Sequence, residues 1–145
     1  MDLEIREDLV LQVHGYSGMA VNGDYAGAAF RLMDRMWSTV RRNDLKHKGL
    51  NIHVYGPDEE VFAGVELVGD QAGSELESKT VSLTKYAWFK HTGPYNLIRT
   101  AGAQMRNELN ARGFETNHPY IEIYGHWTAD EAKLETELLM NLSAP

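Results

Sequence analysis

The chain has 145 residues, of which 43% are apolar and 24% are charged, and its net charge is −7. This length suits one domain with its own core, and the composition excludes fibrous and disordered classes. The acidic balance argues against a nucleic-acid backbone as the main partner, because such binding relies on clustered Lys and Arg. The absence of cysteine excludes disulfides, thiol catalysis and thiolate metal sites.

The hydropathy and the first residues favour a cytoplasmic protein. No run approaches the roughly 18 apolar residues of a membrane span, so we expect no membrane association. Residues Met1–Glu4 lack the basic start and apolar middle of a signal peptide. Only a short segment precedes the first predicted strand, and we therefore expect neither a helix-turn-helix reader nor direct nucleic-acid binding.

The first half of the chain is predicted to form a strand, a helix and two further strands. The segment "LVLQVHGYS" (Leu9–Ser17) alternates partly and is rich in Val and Leu, as strands are. Apolar residues at three- and four-residue spacing predict an amphipathic helix from Tyr25 to about Arg42. Pro57 and Asp58 favour a turn between "LNIHVYG" and "VFAGVELVG", which predicts a hairpin.

The second half repeats this order. "KTVSLTKYAWFKH" is typical of a strand with an aromatic centre, and Pro94 suits the first turn of the helix that follows. Ile98, Ala101, Met105 and Leu109 form the apolar stripe of that helix, and Gly113 is its expected stop. "PYIEIYGHW" and "KLETELLMNL" are the closing strands, and the polar segment Gly69–Ser78 joins the two halves.

Three matches at nearly one offset indicate an internal duplication. "NIHVYG" (Asn51–Gly56) and "YIEIYG" (Tyr120–Gly125) lie 69 positions apart. "GDY" and "GPY", each placed directly before a predicted helix, lie 70 apart. Glu66 and Glu135 are again 69 apart. A repeat that keeps its register through helix and strand predicts two copies of one unit.

We therefore expect an α+β fold built from two strand-helix-strand-strand units. The units span approximately residues 8–69 and 79–142 inside a single domain covering residues 1–145. Neither half is large enough to support a core easily by itself. The two copies are expected to share one antiparallel sheet and to carry two main helices.

The segment "YIEIY" places unusual side chains on one strand face. Successive strand residues point to opposite sides, so Tyr120, Glu122 and Tyr124 share a surface while Ile121 and Ile123 share the other. Such a face is commonly the solvated side of an antiparallel sheet. Alternatively it forms the floor of a pocket, where a carboxylate would need a cationic partner to offset its desolvation. The residues alone leave both readings open.

The ordered set of segments resembles a known family. "YAWFKHTGPYNLI", "GFETNHPYIEIYGHW" and "ETELLMNL" are similar to the GyrI-like effector-binding domain, the small-molecule module of AraC-type and multidrug-sensing regulators, which also occurs alone. The similarity spans nearly the whole chain, including "VYGPDEEVFAGVEL" in the first half. It implies two units related by a pseudo-twofold, with a central ligand cleft between them.

The resemblance also implies site residues. In drug-sensing members a glutamate on the strand that matches "YIEIY" pairs with planar cations at the bottom of an aromatic pocket, and this position is Glu122. A second acidic position falls near Glu135, although Glu137 shares the same strand face. The expected ligand is therefore a cationic aromatic small molecule, because Tyr and Trp faces attract cations and stack on flat rings.

Further candidates follow from position. Tyr55 and His53 match Tyr124 and Glu122 across the repeat, although His53 is read equally well as an ordinary polar strand residue. Glu66 matches Glu135. The remaining candidates are aromatic. Trp37 lies in a helical stripe more typical of core, and only one of Trp88 and Phe89 can face a ligand because a strand sends them to opposite sides.

Three function classes remain open from the sequence. The first is a stand-alone binding module for amphipathic, cationic aromatic molecules, acting in sensing or sequestration, with a protein partner or homodimer left open. The second is a hydrolase of strained electrophilic natural products, in which Glu122 would activate water and Tyr55 or Tyr124 would donate a hydrogen bond. The third is a gyrase-inhibitor-like protein. No cofactor is expected, and no metal, because His118 and His126 lie too far apart along one strand to share an ion.

Overall fold

Six antiparallel strands close into one continuous sheet. The computed structural model describes residues 1–71 and 73–143. Within them the strands are β1 (Glu4–Met19), β2 (Ile52–Tyr55), β3 (Glu60–Val65), β4 (Glu77–Thr92), β5 (Thr116–Tyr124) and β6 (Glu135–Leu142). The order around the sheet is β1-β3-β2-β5-β6-β4, which returns to β1. Each strand is therefore paired on both sides, and this closure protects the strand edges.

Two α-helices lie against the outside of this sheet. Helix α1 (Tyr25–Arg42) begins at Asp24, whose side chain accepts a hydrogen bond from the Gly27 amide at 3.0 Å. Helix α2 (Ile98–Ala111) follows a short 3₁₀ turn that Pro94 opens. These bounds agree with the predicted helices. The predicted stop is confirmed as well, since Gly113 has a φ of 83° just beyond the end of α2.

The interior of the closed sheet is filled by one apolar cluster. It comprises Leu11, Val13, Ile52, Val54, Phe62, Val81, Leu83, Tyr86, Ile121 and Leu139. The helices cover separate parts of the outer surface. Met36 and Val40 of α1 pack near Tyr16 and Val65 of the β1–β3 pair. Helix α2 contributes its predicted stripe to a cluster with strands β4 and β6. The outer face of β2 and β5 lies between the two helices.

The predicted strands are all present, but β1 and β4 are longer than expected. Each has 16 residues. The extra start of β1 is polar and pairs with the end of β4, where Glu4 lies opposite Trp88 and Glu7 opposite Lys85. Local apolar alternation cannot reveal such a segment, because its pairing partner is remote in sequence. In the described part of the chain, no helix is long and apolar enough to cross a membrane.

Candidate functional site

A cavity of about 980 Å³ opens on the outer face of β2 and β5. Antiparallel pairing puts His53 opposite Glu122 and Tyr55 opposite Tyr120. These four residues and Tyr124 all line the cavity, and together they are called the cavity floor. The strand alternation predicted for "YIEIY" is confirmed, because Ile121 packs inside the sheet while its neighbours Tyr120 and Glu122 face the cavity.

The two helices supply opposite walls of different chemistry. The α1 wall consists of Ala26, Ala29, Phe30 and Met33. The α2 wall consists of Ile98, Arg99, Gly102 and Arg106. In both helices these positions recur at intervals of three or four residues, which places them on one helical face. Beyond Tyr25 and the N-cap Asp24, which also line the cavity, the α1 wall is apolar, whereas the α2 wall carries two guanidinium groups.

Three tyrosine hydroxyls hold the Glu122 carboxylate. Tyr124 donates to Oε1 at 2.6 Å, Tyr120 donates to Oε2 at 2.8 Å, and Tyr55 approaches Oε1 at 3.4 Å. Only 8% of Glu122 is exposed. Within residues 1–71 and 73–143, Glu122 forms no ion pair with a basic side chain. The carboxylate is therefore oriented by neutral donors and lacks a counter-charge among these residues.

The tyrosines of the floor remain protonated donors at ordinary pH. Burial raises the pKa of the Tyr55, Tyr120 and Tyr124 hydroxyls far above the usual range. The nearby charge of Glu122 and its hydrogen bonds raise these pKa values further. Because a phenolate beside this carboxylate is so unfavourable, the floor presents one anionic group surrounded by polarised but neutral rings.

His53 is a neutral member of the floor. Burial lowers the pKa of its imidazole to about 4, and the side chain is 5% exposed. Its Nδ1 lies 3.5 Å from the Tyr55 hydroxyl, and its ring centroid lies 4.8 Å from that of Tyr124. Nε2 has no hydrogen-bond partner in the described residues. On the side of β2, Glu122 therefore faces neutral side chains.

Two further tyrosines enclose the floor, and the sequence analysis did not select them. Tyr25 meets Tyr55 edge to face at a centroid distance of 5.8 Å, and Tyr95 meets Tyr124 in the same way at 5.5 Å. Tyr55 and Tyr120 stack at 5.8 Å. The signal for these residues was present, since Tyr25 and Tyr95 end the matched "GDY" and "GPY" segments.

Four other lining residues were also missed. Phe30 and Trp127 are 62% and 75% exposed, and Arg99 and Arg106 are exposed on α2. Helical periodicity assigns Phe30, Arg99 and Arg106 to the solvent side, because a pattern read from one helix cannot reveal that a cavity borders that side. Trp127 lies in the connection after β5, where no strand or helix pattern applies.

The other two predicted carboxylates lie outside the cavity lining. Glu135 is exposed and forms an ion pair with Lys90 at 3.2 Å. Glu66 pairs with Lys48 at 3.3 Å. Both already have a cationic partner and contact with water. Their assignment as ligand-binding residues remains a prediction, without support from the geometry of the cavity.

The two predicted tryptophans are likewise absent from the lining. Trp37 donates its indole N–H to Asn51 Oδ1 at 2.6 Å and packs against the cluster beneath α1. Trp88 donates to Glu137 at 2.7 Å and packs against the interior of the sheet. Both indole rings therefore have structural partners and lie outside the cavity lining, whereas Asn51 is part of it.

Comparison with known proteins reveals similarity in structure. No protein-family model matches the chain, and no curated protein matches it. Among solved structures, SAV2435 bound to tetraphenylphosphonium is 17% identical, with 99% of this chain and 95% of that chain covered and a TM-score of 0.66. The EcmrR C-terminal domain is 15% identical, with 99% and 96% covered and a TM-score of 0.68. A hydrolase from Listeria innocua is 13% identical, with 97% and 91% covered and a TM-score of 0.57.

At these identities the likeness concerns the fold. It extends over essentially the entire length of the chain. The expected α+β class is confirmed, and the resemblance to the GyrI-like effector-binding domain holds at the level of the fold, which this chain shares with SAV2435 and the EcmrR C-terminal domain.

Proposed function

We propose that this chain binds amphipathic, cationic aromatic small molecules in the cavity, with Glu122 as the counter-charge. One observation carries the proposal: Glu122 is buried, accepts tyrosine hydrogen bonds and has no ion pair in the described residues. A buried anion without a counter-charge is unfavourable, and a bound cation would offset that cost. The cavity floor therefore favours a ligand that brings positive charge into an aromatic environment.

The surrounding rings favour a delocalised cation. Tyrosine faces attract positive charge, at about 0.5–2 kcal/mol per contact, and more where water is excluded. A cation with its charge spread over aromatic groups loses less hydration on entry than a compact ammonium does. Phe30, Met33 and Trp127 add apolar surface around the floor. The structure of SAV2435 with tetraphenylphosphonium, a ligand of this class, supports the proposal.

The biological role we propose is sensing or sequestration of such molecules, with tolerance for several ligands. A large cavity with one central charge discriminates by electrostatics and is permissive in shape. The similarity to the EcmrR C-terminal domain supports a link to transcription regulation. The match to the EcmrR chain in its complex with DNA covers 99% of this chain and 57% of the EcmrR chain. We propose further that the chain acts in the cytoplasm and exerts a regulatory effect through a protein partner or as a homodimer.

We also propose that the floor arose by duplication of one unit within a single domain. The proposed copies, residues 8–69 and 79–142, follow the same order of elements. Tyr55 and Tyr124 occupy matched positions, and each contacts a matched tyrosine at the start of a helix. His53 and Glu122 are also matched and lie opposite one another in the sheet. Duplication supports a pseudo-twofold cleft in which one copy carries the anion and the other a neutral imidazole.

The proposal is tested by thermal unfolding in the presence of tetraphenylphosphonium. A ligand that binds only the folded state raises the melting temperature, and at 100 times Kd the stabilisation is about 2.7 kcal/mol. Triphenylphosphine oxide, a neutral molecule with similar rings, is the control. We expect a concentration-dependent rise with the cation and a much smaller one with the neutral molecule. The same rise for both, or none for either, would refute a cation-binding role.

The same floor supports a second candidate, hydrolysis of a strained aromatic electrophile. Tyr124 lies 2.6 Å from Glu122, so a base and a hydrogen-bond donor face one cavity. Glu122 would take a proton from water, whose oxygen would bond to carbon as the strained C–C bond breaks. Once Glu122 is protonated, the Tyr55 or Tyr124 hydroxyl would turn to a substrate oxygen that receives the electron pair of that bond, and the proton held by Glu122 would then pass to this oxygen.

Incubation with an aromatic cyclopropane electrophile distinguishes turnover from binding. If the protein is a hydrolase, the product should be heavier than the substrate by one water, and many molecules of product should form per molecule of enzyme. The Glu122→Gln variant should not form this product. Recovery of unchanged substrate from wild-type protein that binds it would leave binding as the function and eliminate hydrolysis of this class of substrate.

A further inference from the structure

The α2 wall carries two arginines at the mouth of the cavity. Arg99 and Arg106 are seven residues apart, and both line the cavity with Gly102 between them. The α1 wall has Ala26, Ala29, Phe30 and Met33 at comparable spacing. Guanidinium groups repel cations, so two arginines in the lining would weaken the binding of a ligand that carries only positive charge. The asymmetry of the walls therefore points to a second recognition element.

Neither arginine is neutralised in the described part of the chain. Within residues 1–71 and 73–143, ion pairs link other basic residues to carboxylates, including Arg112 with Glu108 on the same helix, but none involves Arg99 or Arg106. The Arg106 guanidinium carbon lies 5.6 Å from the ring centroid of Tyr120, which itself donates to Glu122. Arg106 is thus close to the floor and does not pair with its carboxylate.

We propose that the ligand is a zwitterion, with a cationic aromatic system on the floor and an anionic substituent, such as a carboxylate, held by Arg106. This inference rests on the function proposed above and specifies its ligand class. A guanidinium presents a planar fork of donors that matches a carboxylate in two hydrogen bonds. The geometry assigns the contact to Arg106 because of its position beside Tyr120.

Arg99 has a secondary role in this arrangement. It lies about 10 Å further along the helix at 1.5 Å per residue, whereas Arg106 is the arginine that stands beside Tyr120 of the floor. Its positive charge attracts the anionic group and disfavours ligands with two cationic ends. The apolar α1 wall would then accept the hydrophobic edge of the ring system.

A matched pair of dyes tests the proposal. Rhodamine 110 carries a free carboxylate, and rhodamine 123 is its methyl ester, so the two differ in the anionic group on nearly the same aromatic cation. Because Arg106 is exposed, we expect a preference of roughly fivefold for the acid in fluorescence-anisotropy titrations. Arg106→Met should abolish this preference, Arg99→Met should reduce it less, and Glu122→Gln should weaken both dyes.

The outcomes separate the two proposals. Arg112→Met is the matched control, since Arg112 follows the last residue of α2, lies outside the cavity lining and pairs with Glu108 at 2.8 Å. The dye ratio of this variant should equal that of wild type. Equal affinity of wild type for both dyes, or a ratio unchanged in Arg106→Met, would overturn the zwitterion proposal while leaving cation binding intact. Absence of binding by both dyes and by tetraphenylphosphonium would overturn the proposed function and this inference together.

Discussion

The cavity floor and the β4–β6 pair use similar residues with opposite results. Both place carboxylates beside aromatic rings. Between β4 and β6, Glu137 accepts the Trp88 indole N–H at 2.7 Å, and Glu135 pairs with Lys90 at 3.2 Å. The Arg6 guanidinium also lies 3.7 Å above the Trp88 ring. On the floor, Glu122 is buried and has hydroxyl donors without an ion pair in residues 1–71 and 73–143.

This difference teaches that residue type does not define the binding site. In this region Lys90 of β4 already pairs with a carboxylate and Arg6 of the neighbouring β1 already covers an aromatic face, so a ligand would have to displace them. Beside the floor, Arg106 lies 5.6 Å from the Tyr120 ring centroid, but no described residue forms an ion pair with Glu122. Burial makes the lack of an ion pair to Glu122 energetically important, because an exposed carboxylate would be screened by water. Four predictions test the contrast, from the largest expected effect to the smallest.

The largest effect concerns protonation of the floor. Burial holds the pKa of His53 at about 4, below its unfolded value near 6.5, so the unfolded state binds the extra proton between these pH values. The contribution of the neutral His53 to the free energy of unfolding should therefore be fully present above about pH 6.5. It should fall by about 3 kcal/mol as the pH drops to 4. Urea unfolding at several pH values, compared with His53→Asn, measures this contribution. A variant with the same pH dependence as wild type would contradict a buried neutral imidazole.

Neutralising the floor carboxylate should produce the next largest effect. Glu122→Gln keeps the shape of the side chain and removes the charge, so we expect tetraphenylphosphonium to bind about 2 kcal/mol more weakly, roughly 30-fold in Kd. Isothermal titration calorimetry gives the value. A melting curve of the unliganded variant shows whether it is folded, and a folded variant with wild-type affinity would exclude Glu122 as the counter-charge.

Removing single hydroxyls should have an intermediate effect. Tyr124→Phe and Tyr120→Phe keep the rings but delete donors at 2.6 Å and 2.8 Å from the carboxylate. Each should change tetraphenylphosphonium affinity by about 1 kcal/mol, the usual net value of one hydrogen bond. Binding constants for the two variants and for Tyr86→Phe, whose ring lies in the sheet interior, provide the measurement. If all three variants bind alike, the hydroxyls do not orient Glu122.

The smallest effect is expected outside the floor. Glu135→Gln removes an exposed ion pair with Lys90, a kind of pair that contributes between about 0 and 1 kcal/mol to stability. Tetraphenylphosphonium affinity should stay within about 0.3 kcal/mol of wild type, since no ligand contact is lost. A loss comparable to that of Glu122→Gln would place a ligand contact on β6 and remove the contrast between the two regions.

Local patterns in the sequence predicted the elements well. The stripe from Ala28 to Val40 specified α1, and "YIEIY" specified which residues share a strand face. Alternation separates a strand into two faces without indicating which one a helix will enclose. The predicted repeat aligns Tyr55 with Tyr124, and both residues line the cavity.

The residues that were missed depend on contacts between remote segments. Arg106 and Phe30 sit on the polar sides of their helices, and only the placement of α1 and α2 on either side of the β2–β5 pair brings them to one cavity. Trp88 was predicted to contact the ligand because it is large and aromatic. Its partners, Glu137 and Arg6, come from two other strands, and no local pattern indicates such an arrangement.

The most direct test of Glu122 as counter-charge compares two ions of the same shape and opposite charge. Tetraphenylphosphonium and tetraphenylborate are titrated into wild-type protein and into Glu122→Gln. We predict that wild type prefers the cation by at least roughly tenfold and that the variant loses most of this preference. Equal binding of both ions by wild type, or an unchanged ratio in the folded variant, would contradict the assignment.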